Sequence, residues 1–176
     1  MISVRDDDVL LKSSGHTDPL ARFKAVHSTI VNGAAFHVPG ILCGEISQFT
    51  GAVEFIDDRI KAGEMSPQIH GWKHSEYHKY TERAILEDLH KCVDFFDKSW
   101  HLVPTKFFTP WGGDSPELRA ACHSMSLELV DCSAIIPPRT VQRNFNHYRG
   151  AKNVELFIHW WEGMGRLEDA LRILNG

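Results

Sequence analysis

Two short stretches concentrate side chains suited to holding a cation. The first is Arg5-Asp6-Asp7-Asp8-Val9, where three adjacent carboxylates repel one another unless positive charge sits among them. A divalent ion supplies that charge and makes the ionised forms favourable. The second is His70-Gly71-Trp72-Lys73-His74. Histidines four residues apart can meet one ion on a helix or in a tight turn, and Gly71 admits backbone conformations that other residues resist. His78 extends the same spacing and is a candidate neighbour.

Two further segments carry a different chemistry. Phe107 to Glu117 sets an aromatic residue, Pro110 and two glycines after a short apolar run. That composition suits a rigid wall approached closely by a ligand, with Trp111 able to stack on a sugar face. Phe157-Ile158-His159-Trp160-Trp161-Glu162 is an apolar run delivering a histidine. An imidazole that titrates at about 6.5 can give or take a proton near neutral pH. The chain has 11 histidines, too many for all to act, so their placement has to select among them.

The elements that must position these groups can be read from periodicity. Short apolar strands are predicted over 2–5, 34–38, 68–70, 106–109, 127–130 and 154–160. Amphipathic helices alternate with them, marked by Phe23, Val26 and Ile30; by Val53, Ile56 and Ile60; by Ile85, Leu89, Val93 and Phe96; by Leu118, Ala121 and Cys122; and by Leu167, Ala170 and Leu171. Asp18-Pro19 and Ser115-Pro116 are helix starts, Asn32-Gly33 is a helix stop, and Pro39-Gly40 is expected to stop the second strand. Such alternation predicts an α/β fold with a mostly parallel sheet or barrel. Asp6 to Asp8, His70, Asp131 and His159 then fall at the C-terminal ends of strands, the rim on which such folds build their sites.

The 176 residues suit one domain covering 1–176. With 43% hydrophobic and 24% charged residues the chain is ordinary globular protein. A net charge of −4 without a basic cluster argues against a nucleic-acid partner, and no apolar run is long enough for a membrane span. Cys43, Cys92, Cys122 and Cys132 are too scattered for a thiolate zinc site. Reduced thiols, and an N-terminus acidic where a leader peptide would be basic, fit a cytoplasmic setting.

Taken in order, these segments resemble the polysaccharide deacetylase superfamily, also called the NodB-homology or carbohydrate esterase 4 group. Arg5 to Val9 looks like its aspartate pair, His70 to His74 like its histidine pair, and Leu156 to Trp161 like its final apolar run with a catalytic histidine. Thr109-Pro110-Trp111 partly matches its arginine-x-proline-aromatic segment, and the stretch around Asp131 matches its fourth motif weakly. The resemblance implies a distorted (β/α) barrel of about seven short parallel strands. It implies a general-base aspartate beside a metal-ligand aspartate, completed by His70 and His74. Asp7 as base and Asp8 as ligand is the preferred register; Asp6 and Asp7 is the other. His159 becomes the general acid, Pro110, Trp111 and Trp160 line the substrate, and one divalent ion is held, zinc first, with cobalt, nickel, manganese or iron as alternatives. Phe108 stands where the family has its arginine, so Arg5, Arg139 or Arg149 would have to replace it. The expected reaction is removal of N-acetyl or similar acyl groups from a carbohydrate. The competing readings are a hydrolase of small non-sugar amides and a catalytically degenerate carbohydrate-binding domain.

Overall fold

The computed structural model of the chain describes residues 1–9, 17–130, 136–159 and 164–176. Its strands are β1 (Ile2–Val9), β2 (Phe36–Leu42), β3 (Gln68–Gly71), β4 (Lys106–Phe108), β5 (Glu128–Val130) and β6 (Val154–His159). They form one sheet in the order β5-β4-β3-β2-β1-β6, and every pairing is parallel. Parallel neighbours need crossovers, and these are helical: α1 (Pro19–Asn32), α2 (Cys43–Ile46), α3 (Thr50–Lys61), α4 (Glu82–Trp100), α5 (Pro116–Ser124), α6 (Pro138–Arg143) and α7 (Phe145–Tyr148), with α8 (Met164–Asn175) closing the chain. The starts read from sequence hold: Asp18 accepts from the Ala21 amide at 2.9 Å, and Ser115 from the Leu118 amide at 3.1 Å.

The two faces of the sheet differ in kind. Val4, Leu156 and Ile158 pack under Val26 and Ile30 of α1 and Leu167 and Leu171 of α8. Ile41, Ile69 and Phe107 pack under Ile56 of α3, Leu89 and Phe96 of α4, and Leu118 of α5. Side chains alternate along a strand, so the intervening residues face the other way. That inner face carries Arg5, Asp7, Gly40, His70, Phe108, Phe157 and His159. It is curled enough for the Arg5 guanidinium carbon on β1 to lie 3.8 Å from the centre of the Phe108 ring on β4, across two intervening strands.

Two expectations are corrected. The count of about seven strands becomes six among the described residues. Ile136 makes an isolated parallel bridge to Leu156 outside β6, but Pro137-Pro138 follow, and residues without amide hydrogens cannot extend a ladder. Pro39-Gly40 does not stop β2, which runs on to Leu42. His37 hydrogen-bonds toward the β3 side, through Glu64 and Ser66, so by alternation Pro39 faces that side too. The β3 ladder begins only at Gly40 and Gln68, and Pro39 displaces no hydrogen bond of it. Among the described residues no helix is long and apolar enough to cross a membrane.

Asp6 faces the outer, helical layer. Its Oδ2 lies 3.5 Å from His37 Nε2, both side chains fully buried. His37 Nδ1 is 3.2 Å from His27 Nδ1 on α1, and His27 Nε2 is 3.3 Å from Glu64 Oε2. Burial, reinforced by neighbouring His27, holds the His37 imidazole well below the usual histidine range; burial likewise lowers His27. Unfolded histidine titrates at about 6.5, so below that pH the unfolded chain binds protons that the folded chain refuses. The stabilisation is complete above about pH 6.5 and is lost as pH falls toward the depressed folded values. Melting temperature should therefore drop between pH 7 and pH 5, and His37→Gln should flatten that slope in paired thermal melts.

Candidate functional site

Simple alternation would send Asp6 and Asp8 to one face of β1 and Asp7 to the other. Asp8 breaks the pattern. Its φ is 60°, in the left-handed region that few non-glycine residues enter, and the register with β2 shifts between Asp6 and Val9. The irregularity turns Asp8 toward the histidines. Its Oδ1 lies 2.8 Å from His70 Nε2 and 2.8 Å from His74 Nε2. Burial alone would raise the Asp8 carboxyl, but the hydrogen bonds of His70 and His74 outweigh it and hold the group well below the usual carboxylate range.

The chemistry of these donors fits a cation. His70 Nδ1 is 2.8 Å from the Phe108 carbonyl oxygen, a pure acceptor, so Nδ1 carries a hydrogen and donates it. With Nδ1 so engaged, Nε2 meets the Asp8 carboxylate either as the N–H of an imidazolium, which is the donor that lowers Asp8, or as a lone pair. Two acceptors at 2.8 Å require a proton or a metal ion between them. Asp8, His70 and His74 each offer one ligand atom, all within 4.8 Å of one another. Two nitrogens and one oxygen, with the second nitrogen of His70 held by a carbonyl, make a three-ligand donor set that leaves coordination positions open.

His74 comes from a turn, not a helix, and the turn is pinned from two sides. The Tyr77 hydroxyl accepts from the Trp72 amide at 2.9 Å, and Tyr77 is fully buried. The Gly44 amide at the start of α2 donates to the Trp72 carbonyl at 2.8 Å. A Cβ on Gly44 would meet that carbonyl oxygen at 2.5 Å, so the approach needs glycine. Gly71 has φ +116° and lies against Tyr77, another place where a side chain would not fit. His78 is not part of the cluster; its ring packs against Gly113.

Asp7 points to the inner face beside this cluster, its Oδ2 3.9 Å from His70 Nδ1. Arg5 Nε donates to Asp7 Oδ1 at 2.9 Å and Arg5 Nη2 to Asp7 Oδ2 at 2.5 Å. Gly40 supplies the floor: a Cβ there would lie 2.6 Å from Asp7 Oδ1 and 3.1 Å from the Phe108 ring. His159 is Asp7's register partner on β6, about one-third exposed, with Nε2 3.9 Å from Asp8 Oδ2. The fourth wall is Pro110-Trp111. Pro110 is buried, while Trp111 is 69% exposed, its ring centre 4.7 Å from that of His74 and its backbone at φ 62°. Left-handed backbone is uncommon at a bulky residue, and here it accompanies an indole turned out to solvent.

Asp7, Asp8, His70, His74, His159, Pro110, Trp111 and Arg5 are thus gathered at one rim. Asp6 is on the other face of the sheet. Asp131 and Trp160 lie outside the described residues. Sequence reasoning read Gly40 only as part of a strand stop and gave Gly44 and Tyr77 no role. Gly40 carried a signal, since a glycine inside an apolar strand marks close approach by something else. Tyr77 carried none beyond its type.

No family model matches the sequence, and no curated protein is significantly similar to it. Solved structures are. A family 4 carbohydrate esterase from Streptomyces lividans, in complex with acetate, superposes with a TM-score of 0.71 at 12% identity, over 99% of this chain and 85% of that one. The peptidoglycan deacetylase PdaC from Bacillus subtilis gives 0.70 at 16% identity, over 99% and 81%. A family 4 acetyl xylan esterase from Clostridium thermocellum, in complex with a cobalt ion, gives 0.70 at 14% identity, over 98% and 80%. The chain has the fold of these family 4 carbohydrate esterases and this peptidoglycan deacetylase.

Titration with cobalt(II), followed by its visible absorption, should give one ion per chain, with no binding in His70→Ala/His74→Ala. Tyr77→Phe frees the Trp72 amide and should weaken the ion by about 10-fold at unchanged stoichiometry, the effect typical of an outer-shell contact.

Proposed function

We propose that this chain is a metal-dependent hydrolase that removes N-acetyl or similar acyl groups from a carbohydrate. The observation that carries the proposal is the convergence of Asp8, His70 and His74 at the strand ends, with Asp7 near His70 and its register partner His159 near Asp8. Asp8, His70 and His74 would hold a divalent cation, zinc in the first instance, which when bound supplies a water of lowered pKa and polarises a carbonyl. Donor type favours zinc but also admits cobalt, nickel, manganese or iron. The structure of the Clostridium thermocellum esterase, which contains cobalt, supports a cation on this scaffold.

The protein groups divide the remaining work. Asp7 accepts the proton of the attacking water. Its two oxygens are fixed by Arg5, so it meets the water in one orientation. His159 carries a proton to the leaving nitrogen, which an amide needs because an amine anion does not depart unaided. Its partial exposure gives it access to both substrate and solvent. The amide N–H of Trp111, following Pro110, would donate to charge developing on the carbonyl oxygen. The exposed Trp111 indole offers a flat apolar surface for a sugar ring beside the reacting group. Atoms balance as one water consumed, with one acetate and one free amino sugar released.

Chain loaded with zinc or cobalt should release acetate from N-acetylglucosamine oligomers, measured by a coupled acetate assay. Asp7→Asn should lower the rate by roughly 10²–10⁴, the range for a general base. Trp111→Ala should act mainly by raising KM. Hydrolysis of small acetamides with no turnover of oligosaccharides would overturn the substrate class. Stoichiometric metal without turnover of either would overturn the hydrolase itself.

A further inference from the structure

Arg5 is among the largest fully buried side chains, and a buried guanidinium with no task would cost several kcal/mol by the usual desolvation of an ion. Its neighbours show the task. Arg5 and Asp7 are two residues apart on one strand, hence on the same face and one step apart along it. The planar fork meets both carboxylate oxygens, at 2.9 and 2.5 Å, the bidentate geometry that fixes the plane of a carboxylate as well as neutralising it. The fork is itself fixed. The Phe108 ring lies 3.8 Å from Cζ, and Phe157, the register partner of Arg5 on β6, lies 5.3 Å from it. A Cβ on Gly40 would press on Asp7 Oδ1 at 2.6 Å and on the Phe108 ring at 3.1 Å, so glycine there leaves both in place.

We propose that Arg5 is the positioning residue for Asp7, taking over from β1 the role that the sequence resemblance assigns to an arginine at position 108, and that Phe108 has become the platform holding it. The inference rests on the hydrolase reading of Asp7 for its kinetic consequence, though not for its structural one. Arg5 belongs to Asp7 rather than to the cation cluster: the described contacts of Asp8 are His70, His74 and His159. Asp7 therefore has a guanidinium partner although position 108 is phenylalanine.

The test uses three variants of the full chain: Arg5→Met, Arg5→Lys, and the transplant Arg5→Met/Phe108→Arg, which returns a guanidinium to β4. Each is read by cobalt(II) binding, by crystal structure and, with N-acetylated oligosaccharide, by kcat and KM. The expected result is cobalt affinity within about threefold of wild type throughout, since no ligand is touched. In Arg5→Met the Asp7 carboxylate should rotate away and kcat fall by about 10²-fold at similar KM, the effect of misorienting one reacting group. Lysine, with charge but no fork, should restore only part of this. The transplant should restore both the Asp7 orientation and most of the rate. Should Arg5→Met fail to fold, the lysine and transplant variants still decide. An unmoved Asp7 without a guanidinium, or a lysine variant equal to wild type, would overturn the proposal. If wild type releases no acetate, the hydrolase reading falls, while the crystal structures still decide what holds Asp7.

Discussion

Three consecutive carboxylates stand at the end of a strand that is buried along nearly its whole length. They cannot share a single environment, because like charges a few ångströms apart raise one another's energy steeply in a medium of low dielectric. The fold separates them by direction. Strand alternation sends Asp6 to the outer layer and His37, and Asp7 to the inner face and Arg5. The left-handed backbone at Asp8 then swings the third carboxylate to His70 and His74. Each acid acquires a different nitrogen partner, and the three partners come from β2, from β1 itself, and from β3 with the turn after it.

Much of the inner face follows from that division. A bidentate pair between Arg5 and Asp7 needs room on both sides, which explains a glycine at position 40 in an otherwise apolar strand. The curl of the sheet brings Phe108 over the space Gly40 leaves, and the Phe108 carbonyl sets the tautomer of His70. One residue of β4 thus supports two groups, Arg5 through its ring and His70 through its backbone. The outer layer is ordinary packing of Val, Ile, Leu and Phe against helices, and that packing anchors the strands whose ends form the rim.

What the sequence disclosed followed from local rules. Helix starts at Asp18-Pro19 and Ser115-Pro116, and apolar stripes such as Ile85-Leu89-Phe96, are written in neighbouring residues, and the structure shows them in place. The pairing of Asp8 with His70 and His74 could be suspected from residue types alone. The fate of Asp6 could not, because strand parity is visible only once the bulge at Asp8 is known. Pro39-Gly40 misled for a related reason: proline is a breaker only where its missing hydrogen would have been used, and that depends on where β3 begins. Tyr77, whose hydroxyl pins the His74 turn, acts through a backbone contact five residues away that no spacing rule announces.

The arginine shows how a fold persists at 12–16% identity to the solved structures it matches. A buried carboxylate on the inner face demands a cation beside it, but charge balance does not specify the strand that supplies the cation. Under the proposed relocation, a guanidinium carried by β1 instead of β4 leaves a hollow at position 108 and an arginine stem that must pass along the inner face. Phe108 occupies that position and stacks on the Arg5 guanidinium, so the proposed exchange couples two positions. Either alone would be costly: Arg5 beside a second arginine would bury two like charges, and phenylalanine without Arg5 would leave Asp7 unpaired, at a cost of about 3–5 kcal/mol for breaking such a pair. A motif compared position by position records only the missing arginine, whereas the inner face of this chain holds the Arg5–Asp7 pair of charges.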